Sequence, residues 1–266
     1  TMITDEPVLP YYRPMLSDYL GEEIKGERLF IHDLAWYREK RIEVLTGQAV
    51  TKLDTAAKQV ATESGTEIGF DKLIIATGAR SNVLPIKGAD IPGVYTMRSL
   101  EDARRLKEAL NKAKKAVVIG GGVLGLEAVE EMVSLGIEVA VVEYNERLMP
   151  RQLDPEASAR LQSLMEAKGI SLQLGVSTEE IIGKDAVESV RLSSGQVLPA
   201  DVVLLSTGVK PNVELAKEAG LEVQQGIVVD KQMRTSVDGI YAVGDVAQFG
   251  ERVIGLWPVS MEMGRV

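Results

Sequence analysis

The sequence predicts an α/β protein built from two similar units with parallel sheets, together with an antiparallel meander. Residues Ala116–Glu143 read as a buried strand, a glycine-rich turn, an amphipathic helix and a second buried strand. Two segments, Asp71–Arg80 and Asp201–Asn212, each place an acid before a buried apolar run that leads into Thr-Gly, which indicates two related domains. Residues Ala49–Phe70 alternate between apolar and polar side chains, as a small meander does. A chain of 266 residues is long enough for two domains of ordinary size.

Short elements precede the repeated segments. Residues 1–4 read as the end of a strand, and the pattern predicts helices near Ser17–Leu20 and over Leu34–Lys40, with a strand over Arg41–Leu45. The segment Pro10–Ser17 connects the first strand to the first helix, and its two prolines indicate a rigid connection. This connection is either an ordinary turn or one wall of a ligand cleft.

Capping residues mark two helices further along the chain. Ser99 is a good N-cap with Asp102 three positions on, so we expect a helix from there to about Lys112. Asp154-Pro155 combines a cap with a proline at the first turn and begins a helix that Gly169 ends. The remaining predicted elements are a strand at Ile170–Leu174, a hairpin at Val187–Pro199, a strand within Thr235–Asp245 and a helix opened by Gly255–Pro258.

The glycines of the turn fall at G-x-G-x-x-G spacing, at Gly120, Gly122 and Gly125. Between a strand and a helix, this spacing is typical of a dinucleotide-binding unit. The first glycine permits the tight turn, the second lets the backbone approach a pyrophosphate, and the third allows close helix–strand packing. Glu143 ends the second strand, where an acid accepts hydrogen bonds from the adenosine ribose and repels a 2′-phosphate. We therefore predict NADH, with Arg147 leaving NADPH as the alternative.

The composition excludes several kinds of site and partner. The sequence contains no cysteine, which excludes disulfides, thiolate nucleophiles and cysteine-ligated zinc or iron–sulfur sites within it. The single histidine, His32, cannot build a histidine metal site alone, so we predict no metal site. A net charge of −9 argues against nucleic acid as a partner. No apolar run approaches the roughly 20 residues that span a bilayer, and we expect no membrane partner and a cytoplasmic location.

The start of the chain resembles the end of a nucleotide-binding strand. Residues 1–4 are followed by Asp5-Glu6, so an acid stands just past a strand, as it does at Glu143. The strand, glycine loop and helix that precede such an acid are not in the sequence. We therefore expect a fragment that begins inside a first nucleotide-binding unit.

Together these motifs resemble the two-dinucleotide-binding-domain flavoprotein reductases of the pyridine nucleotide–disulfide oxidoreductase superfamily. The glycines of Gly120–Gly125, the two Thr-Gly loops and Gly244-Asp245 carry the resemblance, which covers essentially the whole chain. It implies two Rossmann-like FAD/NAD(P)-binding domains, each a three-layer parallel sheet with an antiparallel β meander, the FAD domain being discontinuous and truncated. The implied domains are 1–94 for the first part of the FAD-binding domain, 95–214 for the NAD(P)H-binding domain and 215–266 for the second part of the FAD-binding domain.

The resemblance also implies which residues contact the two cofactors. Glu127 matches the glutamate that points towards nicotinamide and flavin, and it is the implied catalytic residue. The implied NADH contacts are Gly120, Gly122, Val123, Leu124, Gly125, Glu143 and Gly208. The implied FAD contacts are Glu6 at the ribose, Arg13 and Pro14 on the flavin side, Val50 near the adenine, Ala76, Thr77 and Gly78 at the phosphates, Gly244 and Asp245 at the ribityl chain, and Trp257 beside the ring.

Within the superfamily, the missing cysteines decide the implied subgroup. Disulfide reductases and cysteine-dependent oxidases need a cysteine near the flavin, where this chain has Arg13–Ser17. The run Leu9–Leu16, together with Gly255-Leu256, is most similar to NADH:rubredoxin reductase, and the FAD/NADH segment of assimilatory nitrite reductase is the alternative. Relatives commonly carry a flavin-contacting lysine where this chain has Asp18.

The resemblance implies a reductase that passes hydride from NADH to FAD and then single electrons to a small iron protein. Rubredoxin, ferredoxin or a fused redox domain is the implied acceptor, and the oligomeric state is left open. The alternative from a different class is a non-catalytic NADH-binding or redox-sensing module.

Overall fold

The computed structural model describes residues 1–21 and 26–266, and the chain divides into two compact units. Unit 1 contains Thr1–Tyr11, Phe30–Arg80 and Val209–Val266, whereas unit 2 contains Tyr12–Leu29 and Ser81–Gly208. The chain therefore changes unit four times, after Tyr11, Leu29, Arg80 and Gly208. The predicted boundaries of the FAD and NAD(P)H domains remain predictions.

Two helices of the described residues begin at the caps that the sequence predicts, whereas the short helix at Glu214–Glu218 was not predicted. The N-cap Ser99 hydroxyl accepts the Asp102 N–H at 3.1 Å, and the Asp102 carboxylate accepts the Ser99 N–H at 2.9 Å, which completes a capping box. The Asp154 carboxylate caps the following helix through the Ala157 N–H at 2.8 Å. The helices are α1 Leu16–Leu20, α2 Leu34–Glu39, α3 Leu100–Leu110, α4 Val123–Ser134, α5 Pro155–Ala167, α6 Glu214–Glu218 and α7 Trp257–Met263.

The strands are mostly short, and several follow glycine turns with a left-handed backbone. In chain order they are β1 Met2–Ile3, β2 Val44–Leu45, β3 Val50–Asp54, β4 Gln59–Thr62, β5 Glu67–Gly69, β6 Leu73–Ile75, β7 Ala79–Ser81, β8 Val94–Tyr95, β9 Lys115–Ile119, β10 Glu138–Glu143, β11 Ser171–Leu174, β12 Thr178–Gly183, β13 Val187–Leu192, β14 Val197–Pro199, β15 Val202–Leu205, β16 Val209–Pro211, β17 Ile227–Val229, β18 Ile240–Ala242 and β19 Ala247–Phe249.

Unit 2 is organised around a five-stranded parallel sheet in the order β11-β10-β9-β15-β8. Its central strands β9 and β15 are apolar along most of their length, and Val117, Val118 and Val203 are fully buried. Strands buried on both faces are typical of parallel sheets whose faces are both covered. The α4 helix follows β9 and leads to β10, the strand beside it, which gives the βαβ unit that the sequence predicts.

An antiparallel sheet in the order β12-β13-β14 also belongs to unit 2. The sequence predicts its hairpin, β13 and β14, but not β12. The run of Thr178–Gly183 has acidic residues beside its apolar pair, so it lacks a clear strand pattern. In the structure Ile181 of β12 is buried in the core cluster that also contains Val190 and Leu198, which explains the strand.

Unit 1 contains several small sheets around one core. Parallel pairs join β1 with β2, β18 with β6, and β17 with β19, and the antiparallel meander runs in the order β3-β4-β5. The predicted meander is confirmed. The Asp54 carboxylate closes one of its turns, and Gly65 has a φ of 81° in the other. The core includes Leu53, Ile75, Ile227 and Ile240.

The predicted strand over Arg41–Leu45 is shorter in the structure, since only Val44–Leu45 pair with β1. Arg41 has a φ of 56°, and the Ile42 N–H donates to the Tyr37 carbonyl at the end of α2. A left-handed residue cannot continue a strand, so the strand begins later than predicted.

Across the described residues, no helix is both long enough and apolar enough to cross a membrane. The predicted α/β class is confirmed.

Candidate functional site

The turn between β9 and α4 is shaped by three glycines with three different roles. Gly120 has a φ of 117°, and a Cβ on it would lie 2.2 Å from the Ser206 carbonyl oxygen. A Cβ on Gly125 would lie 2.4 Å from the Gly120 carbonyl oxygen. Around Gly122, by contrast, no atom of the described residues comes within 4 Å of the Cβ position. The first and last glycines are therefore required by packing, whereas the middle one borders open space.

The N-terminus of α4 opens beside this space. Its N-cap is Gly122, and no side chain of the described residues caps it. Val123 and Leu124 in the first turn are 41% and 42% exposed, and the first turn carries no acid. N–H groups of a first helical turn have no acceptor within the helix, and they carry the positive end of the helix dipole. This end of α4 is suited to an anion such as a pyrophosphate.

Glu143 holds the glycine turn to the end of β10. The carboxylate is buried, at 8% exposure, and accepts the Gly121 N–H at 2.7 Å. Its other oxygen accepts the backbone N–H and the side-chain amide of Asn145, at 2.8 and 2.6 Å. A carboxylate has about four acceptor positions, so capacity remains for a ligand hydroxyl. Gly121 and Asn145 are partners that the sequence did not single out.

The Arg147 side chain forms hydrogen bonds within its own loop. Its guanidinium donates to the carbonyls of Leu153 and Pro150, the latter at 3.0 Å. Met149, inside this loop, has a φ of 48° and donates its N–H to the Gly121 carbonyl at 3.1 Å. A guanidinium that already binds two carbonyls has fewer donors for a phosphate.

Glu127, the predicted catalytic residue, lies on the exposed side of α4. The hydroxyl of the buried Ser17 donates to its carboxylate at 3.1 Å. Arg13, in the same segment of unit 2, donates to the Arg98 carbonyl at 2.6 Å, and Pro14 is exposed. Unit 2 therefore packs α1, the helix that follows the predicted flavin-side loop, against α4. The sequence does not predict a role for Ser17, because Ser17 and Glu127 are 110 residues apart in the chain and no local signal marks their contact.

Both Thr-Gly turns are closed by an asparagine of the same unit. In unit 2, the Asn82 N–H donates to the Gly208 carbonyl at 2.9 Å, and its side-chain amide donates to the Thr207 carbonyl at 3.3 Å. The Thr207 hydroxyl donates back to the Asn82 carbonyl. Gly208 has a φ of 89°, a backbone conformation that favours glycine. We call Thr207, Gly208 and Asn82 the unit 2 cluster.

Thr77, Gly78 and Asn212 form the corresponding unit 1 cluster. The Asn212 N–H donates to the Gly78 carbonyl at 3.0 Å, and its side-chain amide donates to the Thr77 carbonyl at 2.8 Å. The Thr77 hydroxyl donates to the Asn212 carbonyl at 2.9 Å, and Gly78 has a φ of 62°. Arg80 donates to the Asn212 side-chain oxygen at 2.9 Å and makes a bidentate pair with Glu214 at 2.7 and 3.2 Å. Hydrogen bonds from Arg80 hold the pKa of Glu214 below its ordinary value.

The other predicted residues of unit 1 lie on three segments. The Glu6 carboxylate, just past β1, accepts the Tyr11 hydroxyl at 2.7 Å, and Val50 is the first residue of β3. Gly244, with a φ of 75°, and Asp245 begin a 3-10 turn directly after β18, and Trp257 is the first residue of α7. The α7 helix packs on this turn, since the Gly244 N–H donates to the Met263 sulfur at 3.3 Å.

In each unit, predicted residues gather at the carboxyl end of neighbouring parallel strands. In unit 2, Ile119 of β9 is level with Leu205 of β15 and Val142 of β10. The glycine turn and Thr207-Gly208 therefore follow two adjacent strands, and Glu143 ends the third. In unit 1, Ile75 of β6 is level with Ala242 of β18, so Ala76–Gly78 and Gly244-Asp245 follow two adjacent strands. The carboxyl edge is where ligands bind in open α/β sheets. Fold and site together define a dinucleotide-binding α/β protein.

Comparison with known proteins gives the family. Residues 1–264 match the family described as pyridine nucleotide-disulphide oxidoreductase, and the chain belongs to it. The chain is 38% identical over 266 residues to nitrite reductase [NAD(P)H] of Bacillus subtilis, covering all of this chain (100%) and 33% of that protein. It is 37% identical over 248 residues to rubredoxin-NAD(+) reductase of Pseudomonas putida, covering 92% of this chain and 64% of that protein.

A solved structure shows the same fold. The ferredoxin reductase from Rhodopseudomonas palustris superposes with a TM-score of 0.90 at 37% identity, covering 93% of this chain and 61% of that chain. The predicted Rossmann-like fold and the predicted superfamily are confirmed. The chain thus spans between a third and two thirds of the length of these relatives.

Proposed function

We propose that this chain is the cofactor-binding part of a flavoprotein reductase that passes hydride from NADH to FAD and then single electrons to a small iron protein. The observation that carries the proposal is the carboxyl edge of each unit, where residues of the family's motifs meet. We propose that unit 2 binds NADH and unit 1 binds FAD. The proposed domain boundaries are 1–94 with 215–266 for FAD and 95–214 for NADH.

The NADH assignment is supported by the space around the glycine turn. Packing excludes a Cβ at Gly120 and Gly125, but the Cβ position of Gly122 is open, as a close-approaching pyrophosphate requires. The uncapped N–H groups of Val123 and Leu124 would bind the phosphates, and Gly208 would line the same edge. Glu143 would accept the ribose hydroxyls. Since its carboxylate is fixed in place and Arg147 is engaged by carbonyls, NADH fits better than NADPH.

The FAD assignment is supported by the corresponding edge of unit 1. Ala76, Thr77 and Gly78 follow β6, and Gly244 and Asp245 follow the neighbouring strand β18. The N–H groups of the turn suit phosphates, whereas a carboxylate suits the hydroxyls of a ribityl chain. The remaining proposed contacts are Glu6, Arg13, Pro14, Val50 and Trp257.

The chain's own residues orient the reaction and supply little acid–base chemistry. When bound, NADH supplies a hydride, and FAD accepts it and releases electrons one at a time. Glu127 would orient the nicotinamide, and the Ser17 hydroxyl holds its carboxylate at 3.1 Å. Because the sequence contains no cysteine, no thiol of this chain takes part.

The proposed electron acceptor is rubredoxin or ferredoxin. Relatives named as reductases of these proteins cover most of this chain, which supports the assignment. The B. subtilis nitrite reductase, which matches the whole chain, favours a second candidate in which the chain is the FAD/NADH segment of a nitrite reductase.

The test is a visible absorption spectrum of the purified chain with added FAD, before and after anaerobic addition of NADH. We expect a protein-bound flavin spectrum that NADH bleaches, and reoxidation by rubredoxin or ferredoxin faster than by oxygen. Binding of NADH without retained flavin would instead support the non-catalytic module. Faster reoxidation by a nitrite-reducing sirohaem domain than by either iron protein would support the second candidate.

A further inference from the structure

The two Thr-Gly turns belong to a repeated motif of the form Thr-Gly-x-(Arg/Lys)-x-Asn. The first copy is Thr77–Asn82 and the second is Thr207–Asn212. Each asparagine follows the Thr-Gly of its own copy, yet its hydrogen bonds go to the Thr-Gly of the other copy. Asn212 bonds to Thr77 and Gly78, and Asn82 bonds to Thr207 and Gly208.

The exchange follows from where the chain changes unit. The first copy leaves unit 1 after Arg80, so its asparagine lies in unit 2. The second copy leaves unit 2 after Gly208, so its asparagine lies in unit 1. Each unit therefore receives its Thr-Gly from one copy and its asparagine from the other. Both asparagines are partly buried, and neither is among the residues that the sequence pattern assigns to a cofactor.

We propose that Asn212 is a positioning residue for FAD and Asn82 is a positioning residue for NADH, an inference that rests on the proposed function. Asn212 fixes the Thr77-Gly78 turn, and Asn82 fixes the Thr207-Gly208 turn. Each acts through its turn and without touching the ligand. Position along the chain alone would assign each asparagine to the other cofactor, since Asn82 lies within the proposed FAD boundaries and Asn212 within the proposed NADH boundaries.

The physical reason is preorganisation of an exposed turn. Thr77 and Gly208 are exposed, and both glycines have a left-handed φ that an unrestrained glycine leaves readily. In each cluster, two backbone groups of the turn are fixed by one asparagine, and the threonine hydroxyl binds the same residue. A turn held in its binding conformation does not lose that freedom again when the ligand binds.

The asparagine side chain makes stronger hydrogen bonds in the unit 1 cluster than in the unit 2 cluster, so N212A and N82A should weaken ligand binding by different amounts. The Asn212 side chain donates to the Thr77 carbonyl at 2.8 Å and accepts from Arg80 at 2.9 Å. The Asn82 side chain donates to the Thr207 carbonyl at 3.3 Å, a longer bond. Backbone bonds of both residues survive a change to alanine. We therefore expect a larger loss from N212A than from N82A.

The experiment measures two dissociation constants for each of four proteins: the unaltered chain, N212A, N82A and the control N111A. Asn111 lies at the exposed end of α3, away from both Thr-Gly turns. Binding of FAD and binding of NADH are titrated separately by fluorescence, and thermal denaturation is followed in parallel. We expect N212A to weaken FAD about tenfold and NADH less than about twofold, and N82A to weaken NADH about threefold with FAD unchanged.

Three results would overturn the inference while leaving the proposed function intact. These are equal weakening of both ligands by each variant, no change in either ligand, or the reversed pattern in which N82A weakens FAD and N212A weakens NADH. If the unaltered chain binds neither ligand, the proposed function itself fails and the inference falls with it. Binding of N111A like the unaltered chain excludes a general effect of losing an asparagine.

Discussion

The Thr-Gly turns of units 1 and 2 share a sequence pattern and the same kind of hydrogen bonds to an asparagine, but their surroundings differ. In unit 2, the Ser206 carbonyl just before the turn lies so close to Gly120 that a methyl group would not fit. In unit 1, Arg80 links Asn212 to Glu214 through hydrogen bonds and an ion pair. The unit 2 turn thus follows a close backbone contact with the glycine turn, whereas the unit 1 turn carries an additional ion pair.

The two proposed sites should be sensitive to different kinds of change. A site shaped by close packing is sensitive to one added carbon atom and insensitive to pH. A site supported by an exposed ion pair is sensitive to pH and salt, although by smaller amounts.

The largest expected effect comes from G125A in unit 2. The added methyl would lie 2.4 Å from the Gly120 carbonyl oxygen and 3.2 Å from the Ser206 side chain, so α4 must move away from β9. We expect a loss of about 3 kcal/mol of unfolding free energy in denaturant titrations, and loss of NADH binding. The control is G69A in unit 1, where the new Cβ meets the Lys58 carbonyl oxygen at 3.9 Å, an ordinary contact. Equal stability of G125A and G69A would contradict the packing account.

G122A distinguishes the effect of an added methyl group on folding from its effect on NADH binding. The Gly122 backbone is extended, and no described atom lies within 4 Å of its Cβ position, so the folded chain can accept the methyl. We expect an unchanged melting temperature and NADH binding weakened by at least about tenfold, since the methyl enters the space assigned to the pyrophosphate. Fluorescence titration with NADH measures the change. Unaltered NADH affinity would show that the pyrophosphate lies elsewhere.

E143Q tests the charged group of unit 2. An amide in place of the carboxylate cannot accept from both Gly121 and Asn145, and its NH2 group opposes one of their donors. We expect NADH affinity to fall about tenfold and preference for NADH over NADPH to decrease. E138Q, at the exposed start of the same strand, is the matched control and should bind both nucleotides like the unaltered chain. An unchanged ratio of the two affinities would argue against the ribose role.

The smallest expected effect is the contribution of Glu214 in unit 1. Its pKa is lowered in the folded chain, so its stabilisation is present above the unfolded value and is lost as pH falls through the folded pKa. Both side chains of the pair are about half exposed, so we expect E214Q to cost about 0.5 kcal/mol near neutral pH. Denaturant titrations from pH 7 to below pH 4 should show this difference disappearing at low pH. A difference that persists in acid would contradict the ion-pair account.

Local signals in the sequence predict much of the fold and of the glycine turn. The capping box at Ser99, the tight turn at Gly120 and the close packing at Gly125 depend on neighbouring residues, and the structure contains them as expected. The β12 strand could not be predicted, because burial of Ile181 in a distant core decides it. The Ser17–Glu127 bond likewise depends on packing of segments far apart in the chain.

The exchanged asparagines did have a sequence signal. The repeat Thr-Gly-x-(Arg/Lys)-x-Asn extends past the two Thr-Gly turns to Asn82 and Asn212, so the pattern itself is readable. What the sequence cannot supply is the partner, because a local reading pairs each asparagine with its own Thr-Gly. In the structure, the hydrogen bonds of each asparagine go to the other copy, and the chain changes unit within each copy.

The most direct test of separate sites is amide NMR of the isotopically labelled chain during stepwise addition of NADH and, separately, FAD. NADH is expected to shift the amides of 120–125, 143–145 and 207–208, while FAD shifts those of 76–78 and 244–245. Shifts by both cofactors in one set of amides, or no shifts at 120–125 under saturating NADH, would contradict the assignment of one cofactor to the carboxyl edge of each unit.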